Sequence, residues 1–184
     1  MEQKHRGCMG MMQVFRGGKK LCPPLQKLKD DHRSLGEKMN RLAGLAKELE
    51  QSAEPSNTKR LTELYEISSS FLVELDKHFR CEEERLFPIL GSYIGRDMGP
   101  IAVMEYEHRQ AKEHIALFLR IVEKGRRNEQ GEITTALHHL LISVEILLQH
   151  FFKEENVLLP MADHLLSEAD KEQLQRLFQD GVDK

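Results

Sequence analysis

The sequence predicts an all-α protein, an up-down-up-down four-helix bundle with a flexible N-terminal arm and a short C-terminal helix. Three observations carry this. Apolar residues recur at alternating steps of three and four along four long segments, the period of helices with one buried stripe. Short polar turns join the segments, which favours antiparallel neighbours. Charged helix formers and Leu dominate the 184 residues, while strand-type runs of Val, Ile, Thr and aromatics are missing.

Residues 1–22 contain Gly7, Gly10, Gly17 and Gly18 without a sustained period, and are read as the flexible arm. The bundle is expected over 23–162. Pro23-Pro24 suits a helix start, where the missing N–H costs nothing. The first stripe is Leu25, Leu28, His32, Leu35, Met39, Leu42, Ala46 and Leu49. Pro55 is placed after its end, with Ser56 or Asn57 as the next cap. The second stripe is Leu61, Leu64, Ser68, Phe71, Leu75, His78, Glu82 and Ile89, closed by Pro88, Gly91 and Gly95. Gly99-Pro100 opens the third, with Ile101, Met104, His108, Ala111, Ile115, Phe118 and Val122 inward. Gly125 and the polar run Arg126–Gly131 read as a turn. The fourth stripe is Ile133, Leu137, Leu140, Val144, Leu147, His150, Glu154 and Leu158, with Pro160 as its stop. In 163–184, Ser167-Glu168-Ala169-Asp170 resembles a capping pattern. It introduces a short helix, expected to pack on the bundle through Leu174, Leu177 and Phe178.

Composition narrows the function classes. Lys plus Arg number 27 against 30 Asp plus Glu, a net charge of −3, so no electrostatic case for nucleic acid exists. Lys4, Arg6, Arg16, Lys19 and Lys20 are scattered in the arm and read as solvated. Cys8, Cys22 and Cys81 are too few, and odd in number, for a disulfide framework. No 18-residue apolar run is evident, and Met9–Phe15 is too short for a signal-peptide core. A cytoplasmic location without membrane attachment is the resulting expectation.

The two halves repeat. His78-Phe79-Arg80-Cys81-Glu82-Glu83 through Pro88 aligns with His150-Phe151-Phe152-Lys153-Glu154-Glu155 through Pro160, in the frame H-F-x-x-E-E-x-x-L-x-P. Asp31-His32-Arg33 pairs with Glu107-His108-Arg109. Each half therefore carries a His on its first helix and a His-x-x-x-Glu on its second. Four residues apart is one helical turn, so each His and Glu share a face. All six fall on the apolar stripes, where unpartnered carboxylates cost several kcal/mol. A cation satisfies them: carboxylates neutralise its charge and neutral imidazoles give lone pairs.

The candidate metal ligands are thus His32, His78, Glu82, His108, His150 and Glu154. Glu83 and Glu155 stand one residue past the paired glutamates and are the open alternative as bridges. His5, His114, His138, His139 and His164 lie off the faces in question and are read as ordinary histidines. For two metals, the six residues give each two nitrogens and two oxygens. An oxo or hydroxo bridge adds a fifth donor, leaving one position for dioxygen, nitric oxide or peroxide. His and carboxylate ligands suit iron, manganese and zinc alike. The ferritin-type arrangement uses Glu-x-x-His on two helices. Within the four helical segments only Glu105-x-x-His108 has that order, and no glutamate lies on the first stripe.

On these residues the chain, from about Leu25 to Met161, resembles the hemerythrin-like family, also described as the HHE cation-binding domain. The resemblance rests on His32, His78-x-x-x-Glu82, His108 and His150-x-x-x-Glu154. It implies that all six are ligands of a non-haem di-iron centre, with Glu82 and Glu154 bridging two iron ions. Dioxygen-carrying hemerythrins use five histidines and an aspartate as second bridge. This pattern, with 46, 30 and 42 residues between successive histidines, is more similar to the iron–sulfur cluster repair proteins of the same superfamily. The resemblance implies a cytoplasmic protein that binds or senses dioxygen or nitric oxide, or handles iron under oxidative or nitrosative stress, more a binder than a turnover enzyme. Two other readings stand beside it: a di-iron enzyme reducing peroxide or nitric oxide, and a metal-stabilised interaction module.

Overall fold

A computed structural model describes residues 20–52, 58–124 and 130–180. The protein is all-helical, and no strand occurs among the described residues. Its elements are α1 (Pro23–Glu50), α2 (Thr58–Cys81), a π-turn (Glu82–Leu86), α3 (Phe87–Ile94), α4 (Pro100–Lys124), α5 (Gln130–Lys153), a second π-turn (Glu154–Leu158), α6 (Leu159–Leu165) and α7 (Glu168–Asp180). Helix α1 packs on α2 and α5, and α4 packs on the same two. Ser56 and Asn57 as caps, and the turn after Gly125, lie outside the described residues. Gln130-Gly131 already belongs to α5 rather than to a turn.

The α1 and α4 stripes are buried throughout, as the periodicity predicts. Prolines at the start of α1 cost no hydrogen bond, and Cys22 O accepts from Gln26 N–H at 2.9 Å to close the first turn. Ser167 caps α7, its Oγ accepting from Asp170 N–H at 3.2 Å.

Pro88 and Pro160 do not stop their helices, contrary to the sequence-based expectation. A proline in a plain α-helix clashes with the carbonyl four residues back. Each is instead preceded by one π-turn, in which the carbonyl of Glu82 accepts from Phe87 N–H and that of Glu154 from Leu159 N–H. These five-residue steps insert one residue and re-phase the helix. The first buried stripe therefore passes from Glu82 to Leu86, Phe87 and Leu90, and Ile89 is only half-buried. The second passes from Glu154 to Leu158, Leu159 and Ala162. Gly95, with a positive φ of 79° that glycine adopts without steric cost, ends α3, as expected of a glycine stop.

Among the described residues the core forms two apolar clusters. The larger runs from Leu35 to Leu49 on α1 and takes in Phe71, Phe118, Leu140 and Leu147. The smaller gathers Leu25, Leu28, Phe87, Leu90, Ile101 and Leu159 with Leu174 and Phe178 of α7. Leu177 is exposed, because Leu174 and Phe178 alone complete the inward face of α7. Leu21 and Cys22, at the end of the predicted arm, pack against the smaller cluster, and Cys22 N–H donates to Asp163 Oδ1 at 2.9 Å. The continuous helix Gly131–Leu165 is, at a mean hydropathy of 1.2, long and apolar enough by length and composition to cross a membrane, a segment the sequence reading did not single out. Its apolar residues Leu137, Leu140, Leu147 and Phe151 are buried in the larger cluster.

Candidate metal centre

The six residues singled out from the sequence come together between the two apolar clusters. His32 comes from α1, His78 from the last turn of α2 and Glu82 from the first π-turn. His108 comes from α4, His150 from α5 and Glu154 from the second π-turn. All are buried, and Glu82 and Glu154 have no exposed surface. Among the described residues, the buried metal-ligand types that converge within 4.8 Å are these six, in two groups that share Glu82.

The contacts define two facing halves. The Nε2 atoms of His32 and His78 are 3.1 Å apart, and those of His108 and His150 are 3.2 Å apart. Glu82 spans the halves, with Oε1 2.9 Å from His78 Nε2 and Oε2 3.1 Å from His108 Nε2. Glu154 spans them through one oxygen, Oε2, which is 3.2 Å from His32 Nε2 and 3.5 Å from His150 Nε2.

The ring orientations follow from a set of carboxylates outside this cluster. Glu155 Oε1 lies 3.0 Å from His32 Nδ1, Glu83 Oε1 2.6 Å from His108 Nδ1, and Glu107 Oε2 3.3 Å from His150 Nδ1. The hydrogen bond from His108 holds Glu83 below the usual carboxylate range. Burial pushes Glu107 up, but His150 and Lys153 outweigh it and leave it low. An ionised carboxylate only accepts, so Nδ1 carries a proton, and in the neutral imidazole Nε2 is then the lone pair. In the neutral imidazole form, two such lone pairs face each other in the His108–His150 half.

Aromatic rings complete the packing. Phe79 stacks on His108 with centroids 3.6 Å apart, and Phe151 stacks on His32 at 4.1 Å. Both phenylalanines follow the motif histidines, so the H-F of each half clamps a histidine from the other half.

The donor set fits a cation. No hydrogen bond reaches any of the four carboxylate oxygens of Glu82 and Glu154, nor His78 Nδ1, although all are buried. Two ligands about 2.1 Å from one ion and near a right angle lie about 3 Å apart, the spacing seen between the paired Nε2 atoms. Protein groups alone share the charge poorly. Burial, and then the Glu154 carboxylate, push Glu82 well above the usual carboxylate range. For Glu154 burial acts the same way, but the facing His32, with His150 and His78, outweighs it and holds it low. Burial drives His78 down to about 4, which keeps it a neutral donor.

The remaining histidines stand elsewhere. His138 is exposed, His114 and His139 face one another, and His164 is on α6 outside the cluster. His5 lies outside the described residues. Cys81 is half-buried, 3.6 Å from Arg85 Nη1. What the sequence reading missed is the surrounding shell: Glu83 and Glu155 as partners of Nδ1, Glu107, Phe79 and Phe151. The signal was the repeated frame itself, which preserves the Phe and the second Glu.

An all-helical protein with a duplicated set of histidines and glutamates buried at its centre is a metal-binding helical protein. The chain belongs to the hemerythrin HHE cation-binding domain family, whose sequence model matches residues 23–162. It is similar to the iron-sulfur cluster repair protein YtfE of Salmonella schwarzengrund, Salmonella paratyphi B and Salmonella newport. Identity is 33% over 108 residues in each case, covering 57% of this chain and 46% of the relative. The chain thus spans about half the length of the curated relatives it matches.

Proposed function

We propose that this chain is a cytoplasmic hemerythrin-like protein that holds two non-haem irons, oxo- or hydroxo-bridged, in an up-down-up-down four-helix bundle. It binds or senses dioxygen or nitric oxide, or handles iron, under oxidative or nitrosative stress. The observation that carries the reading is the facing pair of Nε2 atoms in a cluster whose carboxylate oxygens have no hydrogen-bond partner. The closed ring of contacts α1–α2–α4–α5 supports the bundle, and the repair role of the matched relatives supports the stress function.

In this reading His32 and His78 would hold one ion and His108 and His150 the other, with Glu82 and Glu154, each placed between the two histidine pairs, as the candidate bridges. When bound, the iron pair supplies reversible redox chemistry and positions open to a small diatomic ligand. The chain's own residues do the rest. Glu83, Glu155 and Glu107 hold the Nδ1 protons, which fixes the tautomer and aims Nε2 inward. Phe79 and Phe151 keep the imidazoles in place and dry the site. The π-turns place Glu82 and Glu154 inside while turning Glu83 and Glu155 toward the histidines of the neighbouring half.

The test is the absorption spectrum of purified protein, reduced and then exposed in turn to air and nitric oxide. Near-ultraviolet bands that bleach on reduction, return in air and change with nitric oxide are expected. Metal-bearing protein with no spectral response would point to an interaction module. Sustained catalytic loss of peroxide or nitric oxide would make it an enzyme.

A further inference from the structure

A second histidine pair lies outside the buried cluster. His114 of α4 and His139 of α5 place their Nδ1 atoms 3.0 Å apart, with ring centroids at 5.1 Å. This is the spacing of the two buried Nε2 pairs, at 3.1 and 3.2 Å. The facing is imposed by packing, because the adjacent Ile115 and Leu140 are fully buried in the larger apolar cluster. Both rings are half-buried, so solvent reaches the pair. Burial, and then the neighbouring His139, push the His114 pKa down, which favours a neutral His114 imidazole able to donate its lone pair.

We propose that His114 and His139 form a second cation site, a bis-imidazole clamp between α4 and α5 for a late first-row divalent ion, with water completing its coordination. The pair belongs to neither of the converging groups of three or four ligands among the described residues, so two nitrogens are the protein's contribution. An all-imidazole set without carboxylate favours copper(II) over iron(II), in line with the general order of divalent affinities. The clamp is independent of the di-iron reading. An ion there ties together the two helices that carry His108 and His150.

The test is a calorimetric titration of the full chain, with its resident metal in place, with copper(II), read together with electron paramagnetic resonance. The wild type is expected to take one additional copper(II) per chain with hyperfine coupling to two nitrogens. His114→Gln and His139→Gln each lose that equivalent or fall to one nitrogen, while resident metal content and circular dichroism stay as in the wild type. The exposed His138→Gln variant retains it. The inference rests on the difference between wild type and variant, so it is read equally well if the central cluster holds some other metal. It is overturned if the wild type takes no extra copper, if the double variant takes as much as the wild type, or if copper enters only as resident metal leaves. Any of these leaves the pair as a neutral His–His hydrogen bond.

Discussion

The two halves of the centre match at the six cluster residues and differ at one position around them. His32, His78 and Glu82 have counterparts in His108, His150 and Glu154, and Glu83 and Phe79 in Glu155 and Phe151. The outer pairs cross over: Glu83 and Phe79 of the first half serve His108, and Glu155 and Phe151 of the second serve His32. The match breaks at one position. Glu107 accepts from His150 Nδ1, but its counterpart Asp31 makes no such bond, and His78 Nδ1 is buried without a partner. Aspartate is one methylene shorter than glutamate, and Asp31 lies 3.7 Å from Lys27 Nζ in a solvent-facing ion pair. The comparison teaches that the six cluster residues and most of their shell are held in common by the two halves, and that the shell diverges where a shorter side chain, Asp31, takes the place of Glu107.

Several substitutions break or sharpen that symmetry. The largest effect belongs to the ligands. His78→Ala and His150→Ala should each abolish stoichiometric two-metal binding, measured as metal per chain after dialysis against a chelator. Full occupancy in either variant would mean the ligand set is wrong. Next come the clamping rings. Phe79→Ala and Phe151→Ala should each cost about 3–5 kcal/mol, as large aromatic deletions in a core do. Denaturant unfolding of the two variants should give similar losses, and a near-neutral result for either would contradict the reciprocal packing.

The outer carboxylates rank third. Glu83→Gln, Glu155→Gln and Glu107→Gln should leave metal bound but lower affinity about 10–100-fold, the usual cost of losing a partner of a ligating histidine. Chelator competition measures this. If Glu83→Gln empties the site instead, the bridging carboxylate has been placed one residue too early. The smallest effect is expected for Asp31→Asn, which removes no hydrogen bond to His78. Asp31→Glu should move the other way and tighten metal retention by restoring the missing partner. A loss at Asp31→Asn as large as at Glu107→Gln would erase the asymmetry between the halves.

Much of this centre was legible in the sequence because it depends on period alone. Ligands one turn apart on a buried stripe can be read without knowing how helices cross, and all six stripe residues are buried where the pattern put them. The choice between Glu82 and Glu83, and between Glu154 and Glu155, was not legible. It depends on helix rotation, and here neither residue of a pair is idle: one faces the cluster and the other a histidine across the interface. The π-turns were missed for a related reason. Pro88 and Pro160 read locally as stops, yet packing of Leu86, Phe87 and Leu90, and of Leu158, Leu159 and Ala162, against the smaller cluster carries the helices through them. Re-phasing by one residue also explains why Leu90 rather than Ile89 is buried. Leu177 fails as a core residue because two inward positions complete a thirteen-residue helix lying on the surface.

The most direct test of the central claim is anomalous diffraction from crystals of protein purified without added metal, collected on either side of the iron absorption edge. The account predicts two iron peaks, one beside His32 and His78 and one beside His108 and His150, with Glu82 and Glu154 between them. A single peak, no iron signal, or density ligated by Glu83 or Glu155 in place of their neighbours would contradict it.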